Sequence, residues 1–148
     1  MQRRIKQRTA IGFLAYRDCI FLDDVEIQIH GALILSGEIN TSVIENYTAP
    51  DGFESTEDVP FRLAFSNVLG FQMLELDTWH DQNSHDDSRT ESSFDEIVDS
   101  KFLAGLRGNG TKLEMKHKHY QCMTYDDVFD IVASGYDIQF GMNAGTKS

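Results

Sequence analysis

With 148 residues, of which 41% are hydrophobic and 11% aromatic, the chain suits one folded domain and excludes an intrinsically disordered polymer. Four of its thirteen lysines and arginines lie within the first eight residues, so the rest carries nine basic and twenty-four acidic side chains. Such an excess of negative charge repels phosphate backbones and argues against a nucleic-acid-binding surface.

The chain begins with a basic head. Residues 1–8 predict either a flexible N-terminus or an arm that touches phosphate or an acidic surface. Residues 10–16 and 19–22 are typical of short strands, and the apolar run among them is too short for a signal peptide or a membrane span. Cys19 and Cys122 show no CxxC spacing, which indicates buried thiols in a reducing cytoplasm and leaves a long-range disulfide open.

Residues 25–39 alternate between apolar and polar side chains, which is the pattern of a strand with one solvent-facing side. Strands usually have about 5–6 residues, so this one is long. We expect it to bend at Gly31 or Gly37, where a missing side chain permits a bulge. Residues 59–79 form a second sheet region, either a hairpin that turns at residues 67–70 or one bent strand with a bulge.

Two helices are predicted in the C-terminal half. Residues 93–96 (SFDE) match the capping box, and apolar residues then recur at helical spacing up to Gly108. Thr124 has the properties of the N-cap of a second helix, with aspartates in its first turn and Gly135 at its end. Residues 79–92 are predicted to be a loop.

The predicted elements indicate a single α+β domain over residues 9–140. We expect an antiparallel β-sheet with a long bent central strand, packed against one or two short helices from the C-terminal half. Residues 111–123 and 136–140 supply the last strands, and residues 141–148 are predicted to be a flexible tail.

Histidines supply the candidate metal ligands. His117 and His119 are two apart on a predicted strand and therefore share a face, with His30 as a third ligand if the strands are neighbours. The alternative is an edge strand protected from pairing by Lys116 and Lys118, and we favour it, so no cofactor is predicted. The sequence also lacks a nucleophile elbow and a phosphate-binding glycine loop, so catalysis is not favoured.

Acidic residues crowd residues 75–99, where only Arg89 is basic. The carboxylates are Glu75, Asp77, Asp81, Asp86, Asp87, Glu91, Asp95, Glu96 and Asp99. Repulsion among them opposes folding, so they form either a solvated face or a surface that steers a cationic partner. In the second interpretation Trp79 is an aromatic anchor. The contacts to basic groups of the partner then come from Asp81, Asp86, Asp87 and Glu91.

Two segments carry a resemblance to a protein family. They are residues 65–72 (FSNVLGFQ) and residues 118–120 (KHY) followed by 124–131 (TYDDVFDI). Both resemble small bacterial proteins of unassigned function, some of them suspected to be immunity proteins of toxin systems. The resemblance implies a bacterial cytoplasmic setting and favours partner binding over catalysis, and it brings no catalytic residues.

The charge pattern and the resemblance together predict a protein-binding module. It would be an immunity-type inhibitor that occludes a basic partner, such as a nuclease toxin, with its acidic surface. One alternative is a metal-dependent enzyme that uses His117 and His119. Another is a small structural subunit that forms homo-oligomers.

Overall fold

A computed structural model describes residues 3–29, 31–44, 46–54, 57–83, 92–106 and 116–141. The strands are β1 (Arg3–Lys6), β2 (Arg8–Thr9), β3 (Gly12–Phe13), β4 (Ile20–Gln28), β5 (Ala32–Ile39), β6 (Val59–Ser66), β7 (Gly70–Glu75), β8 (Phe94–Val98), β9 (Lys118–Met123), β10 (Asp127–Ala133) and β11 (Gly135–Phe140). The helices are α1 (Leu76–Gln82) and α2 (Lys101–Leu106), with a 3₁₀ turn at Thr41–Val43. The predicted α+β class with antiparallel sheets is therefore confirmed. Neither helix in the described ranges is long and apolar enough to cross a membrane.

Two antiparallel sheets share one apolar core. The five-stranded sheet has the order β1-β8-β9-β10-β7, the four-stranded sheet has the order β11-β6-β5-β4, and β2 pairs with β3. Phe65 of the four-stranded sheet contacts rings of the five-stranded sheet, with centroid distances of 6.3 Å to Phe94 and 5.6 Å to Tyr120. Cys19 and Cys122 are buried in this core as free thiols. Burial raises the pKa of each thiol to about 12.

Residues 25–39 form a hairpin, so the prediction of one long bent strand is wrong. β4 pairs with β5 from Ile20↔Ile39 to Gln28↔Ala32, and Gly31, with φ of +84°, lies in the connecting turn. The alternation was interpreted as continuous because both strands keep the same parity across the turn. A β-bulge does occur, but it lies between Leu22 and Asp24, on the strand opposite Gly37.

Gly37 allows the two strands to approach each other at the bulge. A β-carbon there would overlap the carbonyl oxygen of Phe21 and lie 2.9 Å from the amide nitrogen of Asp23. We expect Gly37→Ala to lower the free energy of unfolding by about 1–3 kcal/mol, because the clash is with backbone. Urea unfolding measures the loss. Gly135→Ala is the matched control, since no described atom lies within 4 Å of the position that a β-carbon would take there; equal losses in both variants would contradict the explanation.

Both helix predictions are wrong over most of their length. Phe94–Val98 and Asp127–Ala133 are strands β8 and β10, and Lys101–Leu106 is the helical portion in the described part of the first predicted helix. Thr124 does make the expected capping contact, since its hydroxyl oxygen accepts the amide of Asp127 at 3.0 Å. It does so within the turn that joins β9 to β10. The predicted loop contains part of α1 instead.

The basic head is part of the sheet. β1 pairs with β8, and the guanidinium groups of Arg3 and Arg4 each lie 3.4 Å from a carboxylate, those of Asp99 and Asp95. Residues 3–6 and Arg8 therefore lie in strands, and the prediction of a flexible N-terminus is wrong for them. The tail prediction concerns residues 141–148, of which only Gly141 is described.

The chain changes sheets between β6 and β7. β6 lies in the four-stranded sheet and β7 in the five-stranded sheet, so residues 59–75 are neither the hairpin nor the single bent strand that we considered. Asn67, with φ of +51°, and Gly70 lie where the chain crosses.

Candidate functional site

A row of polar side chains crosses the face of the five-stranded sheet that points away from the shared core. The row follows the strand register and contains Lys6, Asp95, Gln121, Asp130 and Gln72. Alternate residues on β10, such as Phe129 and Ile131, belong to the apolar core. Three members of the row are buried although they are polar: Asp95, Gln121 and Asp130. Buried polar groups are costly unless they are hydrogen-bonded, so the row needs a satisfied network.

The two helices lie on either side of this row and leave a cavity between them. From α1, Leu76 and Trp79 pack on Val128 in an apolar cluster. From α2, the ring of Phe102 lies 5.2 Å from the imidazole of His119. The cavity has a volume of about 230 Å³ and is lined by residues of the polar row and of both helices.

Asp130 is the centre of the network. Its carboxylate accepts hydrogen bonds from His119 Nε2 at 2.7 Å, from Gln121 Nε2 at 2.9 Å and from Gln72 Nε2 at 3.1 Å. Burial alone would raise the pKa of this carboxyl, but the contacts with His119 and the two glutamines outweigh burial and hold the pKa below its usual range. Asp130 is therefore a stable, fully hydrogen-bonded anion.

His119 is held at both ring nitrogens. Nε2 faces the carboxylate of Asp130, which only accepts, and Nδ1 lies 2.6 Å from Ser100 Oγ. The amide of Leu103 donates to the same Ser100 oxygen at 2.9 Å. A neutral imidazole with its hydrogen on Nε2 satisfies every member, because the serine hydroxyl can then donate to Nδ1.

The hydrogen-bonded series Ser100, His119 and Asp130 also has the components of an acyl-transfer triad. Ser100, however, is 6% exposed and is not among the residues that line the cavity. Its oxygen also accepts an amide hydrogen at the start of α2. The arrangement therefore orients the imidazole and does not present a nucleophile to the cavity.

Arg4 brings a buried positive charge to the same site. Its side chain is 5% exposed, and Nη1 donates to Gln121 Oε1 while lying 3.4 Å from Asp95 Oδ2. Burial raises the pKa of Asp95, and contacts with Ser92 and Arg4 offset only part of that rise. Arg4 and Lys101 are the basic residues that the described ranges contribute to the cavity lining.

The predicted metal ligands make separate contacts. His119 belongs to the network with Asp130, whereas His117 Nε2 lies 3.2 Å from the carbonyl oxygen of Asn67. His30 lies outside the described residues. In the part of the chain that the structure describes, no three His, Cys, Asp or Glu side chains are placed to hold a metal ion.

The predicted partner-binding residues are only partly described. Trp79 is 2% exposed, so it offers no surface on which a partner could anchor, and the expectation of an aromatic anchor there is wrong. The expectation rests on the acidic residues that lie on both sides of Trp79 in sequence. Asp81 is exposed on α1, and Asp86, Asp87 and Glu91 lie outside the described residues.

Basic residues from distant parts of the chain oppose several of the carboxylates in residues 75–99. Arg4 pairs with Asp95, Arg3 with Asp99 and Lys118 with Glu96 at 3.5 Å. The expectation that only Arg89 balances this segment is therefore wrong. That expectation counts only the charges within residues 75–99, whereas the pairing of β1 and β9 with β8 brings basic residues from outside this segment close to it.

A different aromatic pair lies on the surface. The rings of Phe21 and Tyr125 stack with centroids 5.1 Å apart, and their residues are 40% exposed. The β9–β10 turn brings this pair next to α1, because the amide of Leu76 donates to the carbonyl of Asp126 at 2.8 Å. Residues 21 and 125 meet only in the folded chain, so a sequence pattern could not indicate them.

Three carboxylates lie at the turn that carries Tyr125 and at the adjoining end of β7. Asp127 is the register partner of Glu75, and its pKa is raised by burial and by repulsion from Asp126 and Glu75. Glu75 itself caps α1 by accepting the amides of Asp77 and Thr78, which lower its pKa. We call the group Phe21, Glu75, Tyr125, Asp126 and Asp127 the acidic–aromatic surface.

No protein-family model, no curated protein sequence and no solved structure matches this chain.

Proposed function

We propose that this protein binds a second protein that carries a basic surface, and that the acidic–aromatic surface is the binding site. The observation that carries the proposal is the exposed Phe21–Tyr125 stack beside the mutually repelling carboxylates of Glu75, Asp126 and Asp127. Such repulsion opposes folding, whereas a cationic partner would relieve it. Exposed aromatic side chains are also enriched among the residues that dominate interface energetics.

The expected contacts follow from the chemistry of this surface. Lysine and arginine groups of the partner would pair with Asp126 and Asp127, and its guanidinium groups would stack on the aromatic rings. Tyr125 already accepts such a contact, since the guanidinium carbon of Arg17 lies 4.8 Å from its ring centroid. In the immunity-type form of the proposal, this binding occludes the cleft of a basic nuclease toxin in a bacterial cytoplasm. Asp81, Asp86, Asp87 and Glu91 then extend the contacts beyond the acidic–aromatic surface.

The natural test partner is the product of the gene beside the one that encodes this chain, because an inhibitor is normally encoded next to its target. Isothermal titration calorimetry at low and high salt, about 50 and 300 mM, would measure the affinity. We expect Tyr125→Ala to weaken binding about 30-fold or more, the loss of one anchor of about 2 kcal/mol. Asp126→Asn combined with Asp127→Asn should slow association and reduce the dependence on salt.

The control is Asp137→Asn, which removes an exposed carboxylate of β11, away from the acidic–aromatic surface. It should leave both affinity and salt dependence unchanged. Unaltered affinity in Tyr125→Ala, or binding that does not respond to ionic strength, would refute the proposed site.

A further inference from the structure

We propose that the cavity between α1 and α2 is a binding site for a small organic anion, a molecule with one carboxylate or phosphate group on a short hydrogen-bonding body. This ligand site is separate from the acidic–aromatic surface and goes beyond the protein-binding function. Three properties of the cavity lead to it: the charge of its lining, the polarity of its floor and its size.

The lining is cationic within an acidic protein. The chain has a formal net charge of −11, yet Arg4 and Lys101 face this cavity, and Asp130 is the only acidic residue that the described ranges add to the lining. Both oxygens of Asp130 already accept hydrogen bonds from side chains of the same network. The charge of Asp130 is therefore dispersed into the network. Arg4 already has Asp95 as a partner, so an incoming anion would share Arg4 with that carboxylate and would meet Lys101 at the exposed start of α2. Arginine suits this role because its planar fork matches carboxylate and phosphate oxygens.

The floor is more polar than a structural role requires. The neighbouring row of the same sheet face, beneath α1, is apolar and includes Leu74, Val128 and Met123. Two residues further along β10, the chain maintains a polar row in which Asp95, Gln121 and Asp130 are buried, although each buried group left unsatisfied would cost about 1–3 kcal/mol. Amide side chains of Gln72 and Gln121 lie in this floor, and Gln82 and Asn83 line the wall. Such groups both donate and accept, which suits a body with hydroxyl, carbonyl or amide groups.

Size and shape restrict the ligand further. About 230 Å³ is below the ~300–1,000 Å³ of pockets for drug-sized ligands, so a compound of a few carbon atoms fits and a nucleotide does not. Trp79 and Phe102 lie on opposite helices and provide apolar walls. The ligand class is therefore a small hydroxy acid or a short phosphate ester.

The test uses the full chain with two probes, glycerol 3-phosphate and lactate, at constant ionic strength in chloride. Glycerol is the uncharged control. Titration followed by NMR of the His119 imidazole would report binding at the cavity itself. We expect saturable shifts with at least one anion, with a dissociation constant in the millimolar range or below, and none with glycerol.

Lys101→Gln tests the cationic contribution without disturbing the core, because Lys101 is exposed. It should weaken anion binding about tenfold, the loss of one charge contact of about 1.4 kcal/mol. Lys118→Gln removes an exposed lysine that does not line the cavity and should bind like the wild type. No saturable shift with either anion, shifts of equal size with glycerol, or equal affinity in Lys101→Gln would overturn the proposal. Tyr125→Ala should retain anion binding. Failure of the anion proposal would therefore leave the protein-binding proposal intact, and the reverse also holds.

Discussion

Replacing Asp130 with alanine is expected to lower the free energy of unfolding by about 3–5 kcal/mol. The variant leaves three donors without their acceptor: the buried His119 Nε2 and Gln121 Nε2, and Nε2 of the exposed Gln72. It also leaves Arg4 with one fewer anion in its surroundings. Urea unfolding followed by circular dichroism would measure the loss, and Asp137→Ala on β11 is the exposed control, with an expected change within about 0.5 kcal/mol.

The contribution of Asp130 should also depend on pH. Its folded pKa lies below its unfolded pKa, which is about 3.9 for aspartate. The stabilisation is therefore fully present above about pH 4 and is lost as the pH falls through the folded pKa, because protonation removes the anion that accepts the three hydrogen bonds. The difference between wild type and Asp130→Ala should be largest near neutral pH and smaller at about pH 3. A difference that is small at neutral pH, or unchanged in acid, would contradict the role assigned to the network.

Replacing Phe65 with alanine should cost a similar amount, about 3–5 kcal/mol, through the loss of buried surface and the cavity left behind. Phe65 is completely buried, and its ring meets Tyr136 of its own sheet as well as Phe94 and Tyr120 of the other. It therefore links the two sheets. Met73→Ala, on an outer strand position that is 52% exposed, is the control and should change stability by about 0.5 kcal/mol or less. A loss below about 1.5 kcal/mol in Phe65→Ala would show that the sheets hold together without this contact.

Strand β10 shows why the sequence predicts a helix where the structure has a strand. Its residues alternate between the two sides of the sheet, with Val128 under α1 and Phe129 and Ile131 in the core, and all three are buried. A strand that is buried on both faces has no polar alternation, and its apolar run matches helical spacing equally well. The strands predicted correctly, such as β6 and β11, each keep a more exposed side.

The sites could be predicted only where neighbours in sequence are neighbours in space. The sequence shows the acidic character of the region around Glu75. It indicates Trp79 as the aromatic residue of this acidic surface, because Trp79 is close to Glu75 along the chain. Sheet pairing instead brings Phe21 and Tyr125 together. The cavity was missed for the same reason, since its floor takes side chains from strands that are far apart in the chain.

The pairing of β1 with β8 also has a consequence for biosynthesis. Arg4 and Asp95, which meet in the finished sheet, are separated by 91 positions. At a translation speed of about 5–20 residues per second, the first strand emerges from the ribosome roughly 5–20 s before its hydrogen-bonding neighbour is made. During that interval the nascent chain carries a basic segment with no acidic strand beside it, so this edge of the sheet is completed late in synthesis.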